Sequence, residues 1–153
     1  MVAGEAIGDV EVGHGELVAT SIGAAEVPRL VDELPLIALL ASMAHGTTTV
    51  TGAAELRAKE SDRVDAVVSA LRAIGAHAEA RPDGFVIRGV PARPRGGTID
   101  ALGDHRIAML AAVAGVVSRE GVRIIGPESA EISFPGFYEV LGSLVETGEI
   151  GAG

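Results

Sequence analysis

Residues 34–45 read LPLIALLASMAH, an almost unbroken apolar run. Asp32 precedes the run as a candidate N-cap, Pro35 is acceptable in the first turn of a helix, and Gly46 suits the position after a helix end. These features predict a helix. Because apolar side chains occur nearly all round it, we expect this helix to be a buried, inner element of the fold.

The residues after this run predict a strand, a second helix and a hairpin. Residues 47–56 are rich in β-branched side chains, which favours a strand. Residues 76–90 read AHAEARPDGFVIRGV, a hairpin pattern with Asp83-Gly84 at its turn. Between them, Ser61 is the candidate cap of a helix whose apolar face consists of Val64, Val67, Val68, Leu71 and Ile74.

The same order of elements recurs from Thr98 onward. A short strand is followed by Asp104 as a cap, by the apolar helix IAMLAAVAGVV at 107–117, and by a strand at 121–127. This self-similarity predicts stacked α/β units in which the first helix of each unit lies inside. Ser133 then opens a helix whose inward residues we expect to be Phe137, Leu141 and Leu144.

Charge and composition exclude several classes of function. Acidic residues outnumber basic residues by 21 to 12, and the net charge of −9 opposes binding to nucleic acids or anionic membranes. The chain has no cysteine, which excludes disulfides and thiolate sites and fits a cytoplasmic location. No apolar run is long enough to span a bilayer. His14, His45 and His77 lack metal-ligand spacing, and no nucleotide-binding glycine pattern occurs, so we expect no metal and no cofactor.

Charged residues cluster where helices are predicted to begin. Residues 59–63 read KESDR, and residues 104–106 read DHR at the tip of the second apolar helix. A cation in the first turn of a helix opposes the helix dipole and costs roughly 0.3–1 kcal/mol in exposed settings. A phosphate or carboxylate held between the helix ends would offset this cost and accept hydrogen bonds from free backbone amides. The pattern therefore predicts a site for an acidic small molecule.

The charged residues also have a simpler interpretation. Asp32 can be a helix cap alone, since a carboxylate stabilises this end of a helix. Arg63 can pair with Asp62, Asp65 or Glu60 on a solvated helix end, where ion pairs are common and weak. Taken alone, the residues leave both interpretations open.

Three stretches together resemble the C-terminal part of the 5-enolpyruvylshikimate-3-phosphate synthase family. They are VPRLVDELPLIALLASMAHGTTTVTGAAELRAKESDRV at 27–64, GDHRIAM at 103–109 and SFPGF at 133–137, and the resemblance extends over residues 27–144. It implies an α/β fold of repeated βαβαββ units with inner helices and outer sheets. It also implies that the chain is an incomplete domain that lacks the N-terminal domain of full-length members.

The resemblance implies a reaction and roles for individual residues. The reaction transfers the enolpyruvyl group of phosphoenolpyruvate to the 5-hydroxyl of shikimate 3-phosphate and releases phosphate, in the biosynthesis of chorismate and aromatic amino acids. Asp32 is similar to the residue that accepts the hydroxyl proton, and Glu60 to the residue that exchanges a proton with the methylene carbon. Residues similar to substrate-binding groups are Lys59, Arg63 and Arg106, which hold phosphoenolpyruvate, and His105, which orients Glu60.

With this resemblance, we expect residues 1–153 to form a single partial domain. Residues 8–28 alternate apolar and polar side chains around glycines, which predicts one or two strands and a loop. The predicted division begins with a remnant of a preceding unit at 1–26. A first repeat unit follows at 27–90, a second repeat unit at 91–146, and a tail at 147–153.

Two alternatives stay open. One is a related enzyme that transfers the enolpyruvyl group to UDP-N-acetylglucosamine and shares the architecture, although KESDR followed by DHR favours the shikimate enzyme. The other is a non-catalytic half-protein that needs a partner chain. We expect the chain alone to be inactive, because one wall of the substrate cleft is missing. Some family members have a lysine where this sequence has Ile132, which removes one expected contact to phosphoenolpyruvate.

Overall fold

The computed structural model describes residues 8–147, so that residues 1–7 and 148–153 of the predicted remnant and tail lie outside it. It contains six strands, five α-helices and two 3₁₀ segments. In chain order these are β1 Ser21–Ile22, α1 Val27–Leu30, α2 Leu34–Ser42, β2 Thr47–Val50, the 3₁₀ segment Ala54–Ala58, α3 Arg63–Ala73, β3 His77–Arg81, β4 Gly84–Arg88, β5 Gly97–Asp100, α4 His105–Val117, β6 Val122–Ile125, the 3₁₀ segment Pro127–Ile132, and α5 Phe137–Thr147.

Two sheets form the outer layers of the molecule. The first has the order β1-β2-β4-β3, with β1 parallel to β2 and the other pairs antiparallel. The second consists of β5 and β6 in parallel. Because β1 precedes residue 27 and pairs with β2, we propose that the first repeat unit extends back to β1, which gives it the order βαβαββ.

Helices α2, α3 and α4 pack against one another between the sheets, as the inner-helix prediction requires. The core includes Leu39 of α2, Leu71 of α3 and Leu110 of α4, together with Phe85 of β4 and Ile99 of β5. These observations confirm the predicted α/β class with inner helices and outer sheets.

Helix α2 is not buried all round, as its apolar composition had suggested. Leu36 and Leu40 are exposed, and they lie on the side of α2 that faces away from α3 and α4. The expectation of complete burial was therefore wrong for this side. An apolar helix surface can be exposed where no described element covers it.

Two local predictions failed because the chain turns earlier or later than expected. The strand predicted at 47–56 ends at Val50, since Gly52 has a φ of 72° and a 3₁₀ segment follows. The helix predicted from Ser133 begins only at Phe137, after the turn at Gly136 with its φ of 77°.

Helix α5 presents a different side to the core than expected. Phe137 and Leu141 are partly buried, but Leu144 is 65% exposed. The side of α5 that faces α4 and β6 is that of Tyr138, Leu141 and Val145, and Leu144 lies off this side. The expectation that Leu144 points inward was therefore wrong.

The predicted hairpin is confirmed, but its turn is Pro82-Asp83, one residue earlier than predicted, because Gly84 already pairs with Arg81 as the first residue of β4. The Asp83 carboxylate also accepts a hydrogen bond from the Gly52 amide at 2.8 Å, which fixes the turn against the end of β2. Just after β4, Gly89 passes so close to α2 that a Cβ there would lie 2.0 Å from the Ala44 carbonyl oxygen. This close approach requires glycine.

Three helix starts were predicted to have side-chain caps, and one is capped as expected. Asp104 caps α4 by accepting a hydrogen bond from the Arg106 amide. Helix α3 is capped by Asp62, not by Ser61, whose hydroxyl donates to Asp104 instead. The residue before α2 is Glu33, and no side chain caps this end, because Asp32 is bound to arginine side chains.

Within residues 8–147, every helix is too short or too polar to cross a membrane.

Candidate active site at three helix starts

The N-terminal ends of α2, α3 and α4 meet at one place. Five charged residues from these helix starts contact one another there, although they lie far apart in the sequence. We call this set the helix-start cluster. Its members are Asp32, Glu60, Arg63, Asp104 and Arg106.

Arg63, the first residue of α3, is the centre of the helix-start cluster and is 2% exposed. Its Nε donates to Oδ2 of Asp104 at 2.8 Å, and one terminal nitrogen donates to Oδ1 of Asp32 at 3.3 Å. The other terminal nitrogen donates to Glu60 at 2.5 Å and to Oδ1 of Asp104 at 3.3 Å. All three guanidinium nitrogens are therefore bound to carboxylates.

The environment of Arg63 keeps it charged. Burial by itself would lower the pKa of the guanidinium, but the hydrogen bond and charge of Asp104, with the charges of Glu60 and Asp32, raise the pKa above its ordinary value. A buried cation needs such partners, because an unpaired charge is very costly in a protein interior.

Asp104 is fully buried and is the main partner of Arg63. It also accepts hydrogen bonds from the Ser61 hydroxyl and the Arg106 amide, both at 2.9 Å. Burial would raise the pKa of this carboxyl, but the hydrogen bonds from Arg63, Ser61 and the Arg106 amide lower it below its ordinary value of 3.8. Asp104 is therefore an ionised anchor that connects α3 to α4.

A tight turn at residues 101–104 positions Asp104 beside Arg63. The Asp104 amide donates to the Ala101 carbonyl oxygen at 2.8 Å, which closes the turn. Its two central residues, Leu102 and Gly103, have φ values of 54° and 71°. A positive φ is ordinary for glycine but uncommon for leucine, so the position of Asp104 depends on a backbone conformation that few residues adopt readily.

Arg106 has an unsatisfied donor. One of its terminal nitrogens forms an ion pair with Oδ2 of Asp32 at 3.0 Å, and its side chain is 33% exposed. Its Nε is buried, and it has no hydrogen-bond partner within residues 8–147. An unpaired buried donor costs free energy, so this atom marks a place where a ligand oxygen would bind favourably.

Asp32 lies between the two arginines and is partly exposed. Each of its carboxylate oxygens faces one guanidinium, Oδ1 that of Arg63 and Oδ2 that of Arg106. Two fixed cations thus orient this carboxylate. The interpretation of Asp32 as a cap alone was wrong, since no side chain caps α2.

Lys59 and His105 adjoin the helix-start cluster in sequence. Lys59 is exposed and precedes Glu60, and His105 is partly buried at the start of α4. Neither side chain has a hydrogen bond or ion pair with another residue of the described range 8–147. The structure therefore joins four of the six predicted site residues by direct contacts, and it places the other two next to them in the chain.

The surface ion-pair interpretation of Arg63 was wrong for two of its three proposed partners. Asp62 and Asp65 pair with Arg57, at 2.6 Å and 3.3 Å, whereas Glu60 does pair with Arg63. Sequence reasoning also missed the roles of Ser61 and Asp104 as partners in one network. The available signal was an aspartate followed by two cations at the tip of an otherwise apolar helix.

The family model of EPSP synthase (3-phosphoshikimate 1-carboxyvinyltransferase) matches residues 3–141 of the chain. The chain belongs to the EPSP synthase family. The match confirms the resemblance carried by the KESDR, DHR and SFPGF segments. Within residues 8–147, no group of His, Asp and Glu side chains is arranged to hold a metal ion.

Relatives of known name agree with this assignment. The chain is 44% identical over 143 residues to a 3-phosphoshikimate 1-carboxyvinyltransferase of Syntrophomonas wolfei. The aligned residues make up 94% of this chain and 33% of that protein. It is 43% identical over 139 residues to one of Sulfurihydrogenibium, with coverage of 91% and 32%. The chain thus spans about a third of the length of the curated relatives it matches.

A solved structure gives the same result for the fold. EPSP synthase from Acinetobacter baumannii superposes with a TM-score of 0.78 at 35% sequence identity, over 84% of this chain and 30% of that one. This likeness confirms the predicted enolpyruvyl transferase architecture. It also agrees with the prediction that the chain corresponds to a part of the longer EPSP synthases.

Proposed function

We propose that the helix-start cluster is one wall of a site that binds phosphoenolpyruvate and transfers its enolpyruvyl group to the 5-hydroxyl of shikimate 3-phosphate. The observation that supports this most is the buried, unpaired Nε of Arg106, beside a carboxylate that two cations orient. An anionic substrate would supply the missing acceptor. The helix N-termini that meet there favour an anion for the same electrostatic reason.

The proposed chemistry uses the two catalytic carboxylates in different ways. Asp32 accepts the proton of the attacking 5-hydroxyl group, while the oxygen of that hydroxyl group bonds to the central carbon of phosphoenolpyruvate. Glu60 gives a proton to the methylene carbon, which becomes a methyl group in a tetrahedral intermediate. The methyl group then returns a proton to Glu60 as the bond to phosphate breaks, and the proton held by Asp32 passes to the departing phosphate. Fixed cations that stabilise this redistribution of charge supply a large part of such catalysis.

The proposed substrate-binding residues differ in whether their donor groups are free to bind a ligand. Arg106 has a free donor and Lys59 is exposed, so we assign the direct contacts to phosphoenolpyruvate to these two. The donors of Arg63 already bind Asp104, Asp32 and Glu60, so we assign Arg63 mainly to positioning the catalytic carboxylates. His105 remains the proposed neighbour that orients Glu60.

A binding experiment tests the assignment of Arg106. We expect phosphoenolpyruvate to bind the chain weakly in calorimetry, and Arg106→Gln to weaken this binding by about tenfold or more, because a charge-assisted hydrogen bond is worth about 1.5–3 kcal/mol. Arg123→Gln removes the same charge from an exposed position of β6 and should leave the affinity within about twofold. Equal losses in both variants would reduce the effect to net charge and overturn the assignment.

A second experiment tests the activity and the missing cleft wall. We expect no phosphate release when the chain alone is mixed with phosphoenolpyruvate and shikimate 3-phosphate. Turnover should appear when the part of an EPSP synthase relative that this chain does not match, about two-thirds of its length, is added as a separate chain. Turnover with UDP-N-acetylglucosamine in place of shikimate 3-phosphate would instead assign the other acceptor. We propose that this reaction takes place in the cytoplasm.

A further inference from the structure

The end of the inner helix layer opposite the helix-start cluster carries an excess of arginine. Ser42 at the end of α2 and Gly75 just after α3 line the same hollow, and the last residues of α4 contact Arg93 of that hollow. Five of the chain's 12 Lys and Arg residues lie around this end, although the net charge of the chain is −9. We call this surface the arginine face. Its members are Arg72, Arg88, Arg93, Arg95 and Arg119.

The arginine face is concave. One hollow of about 460 Å³ is lined by Arg72 and Arg88, and an adjoining hollow of about 240 Å³ is lined by the other three arginines of the face. The two hollows share Ala76 and His77 in their linings. The larger hollow lies within the range of roughly 300–1,000 Å³ that is typical of ligand sites, and the smaller one adjoins it.

Helix stabilisation accounts for two of the five arginines. The ends of helices attract cations, because the last carbonyl groups lack partners and carry partial negative charge. Arg93 donates to the carbonyl oxygens of Val117 at 2.9 Å and Ser118 at 2.8 Å. Arg72 lies in the last turn of α3, and its Nε donates to the carbonyl oxygen of Ala78 in strand β3 at 2.8 Å. These two residues therefore have a structural role.

Helix stabilisation does not account for the other three. The side chains of Arg88, Arg95 and Arg119 have no hydrogen bond, and no carboxylate within 4.0 Å, in the described part of the chain. The acidic residues of this region, Glu79 in the lining of the first hollow and Glu120 beside Arg119 in sequence, form no ion pair with them. The Glu79 carboxylate pairs with Arg81 at 3.2 Å, and Glu120 has no ion pair within residues 8–147.

Most arginines elsewhere in the described chain are paired, and Arg29 and Arg123 are the exceptions. Each of four other arginines lies within 4.0 Å of a carboxylate, and they are Arg57, Arg63, Arg81 and Arg106. Arg88, Arg95 and Arg119 differ from Arg29 and Arg123 because they line two adjoining hollows, so their unpaired guanidinium groups give this surface an excess of positive charge. Such a patch concentrates anions from solution.

We propose that the arginine face binds a small molecule with several phosphate groups, through Arg88, Arg95 and Arg119. Guanidinium groups bind phosphate oxygens in a bidentate manner, and three of them match a ligand that carries more than one phosphate. A long nucleic acid is a poor match, because the rest of this acidic surface would repel an extended chain of phosphates. This site is separate from the helix-start cluster and does not depend on the proposed transferase activity.

Tripolyphosphate is a suitable probe for the 153-residue chain. We expect saturable binding in calorimetry, and we expect the amide NMR signals that shift to be those of residues in both hollows. The double variant Arg95→Gln, Arg119→Gln should bind at least tenfold more weakly. The control Arg29→Gln, Arg123→Gln removes the same charge from exposed positions elsewhere and should change the affinity less than twofold.

Three outcomes would overturn the proposal. They are an absence of binding by the wild-type chain, equal losses in the two double variants, and NMR shifts confined to the helix-start cluster. The NMR map uses only the wild-type chain, so it tests whether tripolyphosphate binds at the arginine face even if a variant fails to fold. Arg106→Gln should leave tripolyphosphate binding at the arginine face within twofold, which separates this site from that proposed for phosphoenolpyruvate.

Discussion

The two ends of the inner helix layer hold arginines in opposite ways. At the helix-start cluster, Arg63 and Arg106 face positive helix ends, and each is bound to a carboxylate. At the arginine face, Arg93 meets the negative end of α4 directly, and Arg95 and Arg119 have no carboxylate partner in the described residues. The helix dipole explains the difference. A cation at a helix start needs neighbouring anions, whereas a cation at a helix end is already in a favourable field.

The largest effect should follow from removing the buried carboxylate at the helix starts. Asp104→Ala leaves Arg63 as a buried cation without its main partner and also removes the cap of α4. We expect the free energy of unfolding, measured by urea denaturation, to fall by about 3–5 kcal/mol. Glu55→Gln changes an exposed carboxylate and should alter it by less than about 0.5 kcal/mol.

A double substitution sharpens this result. If the loss comes from the uncompensated charge, Arg63→Met combined with Asp104→Leu should be more stable than Asp104→Ala alone, because apolar residues can replace a buried ion pair at little cost. A double variant that loses as much as the sum of two independent changes would argue that packing, not charge, is responsible.

The pH dependence of stability should show the same carboxylate. The pKa of Asp104 is lower in the folded chain than its ordinary value of 3.8, so the unfolded chain takes up this proton first as the pH falls. Its contribution to stability is complete above the unfolded pKa and is lost as the pH falls through the folded value. We expect the unfolding free energy of the wild type to drop more steeply below about pH 4 than that of Asp104→Asn. If the unfolding free energies of the wild type and Asp104→Asn fall in parallel as the pH is lowered, Asp104 does not contribute to stability through its charge.

A smaller effect should follow at the opposite helix end. Arg93→Gln removes the charged donor from the last carbonyl groups of α4. We expect a loss of about 1 kcal/mol in urea denaturation, since the site is partly exposed and the carbonyl groups can bind water instead. A loss as large as that of Asp104→Ala would remove the distinction between the two ends.

The smallest effect should come from an arginine without a partner. Arg119→Gln breaks no described side-chain hydrogen bond and no ion pair, so the unfolding free energy should change by less than about 0.5 kcal/mol. A thermal melt beside the wild type measures this directly. A clear destabilisation would mean that Arg119 supports the fold, whereas a gain in stability would fit relief of repulsion among neighbouring cations.

Local patterns in the sequence predicted the elements that depend on local physics. The apolar runs gave α2 and α4, the Asp83-Gly84 signal gave the hairpin, and an aspartate before two cations gave the cap of α4. Each of these rests on neighbouring residues alone. The family and its site followed from the KESDR and DHR segments, and four of the six predicted site residues contact one another.

Predictions failed where a distant residue decides the outcome. Ser61 has the sequence position of a cap, but its hydroxyl donates a hydrogen bond to Asp104 at the start of another helix, α4. The burial of Arg63 likewise depends on carboxylates brought from α4 and from the turn before α2. The arginine face had no sequence signal, because its members between positions 72 and 119 come together only when the helix ends align.

The turn before Asp104 offers a way to tune the molecule without touching any charge. Leu102 is 55% exposed and adopts a left-handed conformation, which costs a leucine about 1–2 kcal/mol. Asparagine tolerates this conformation better, and turns with two central residues of positive φ commonly contain Asn-Gly. Leu102→Asn is therefore a route to a sturdier protein whose ligand-binding groups stay as they are, which would be useful wherever the site variants prove too fragile to purify.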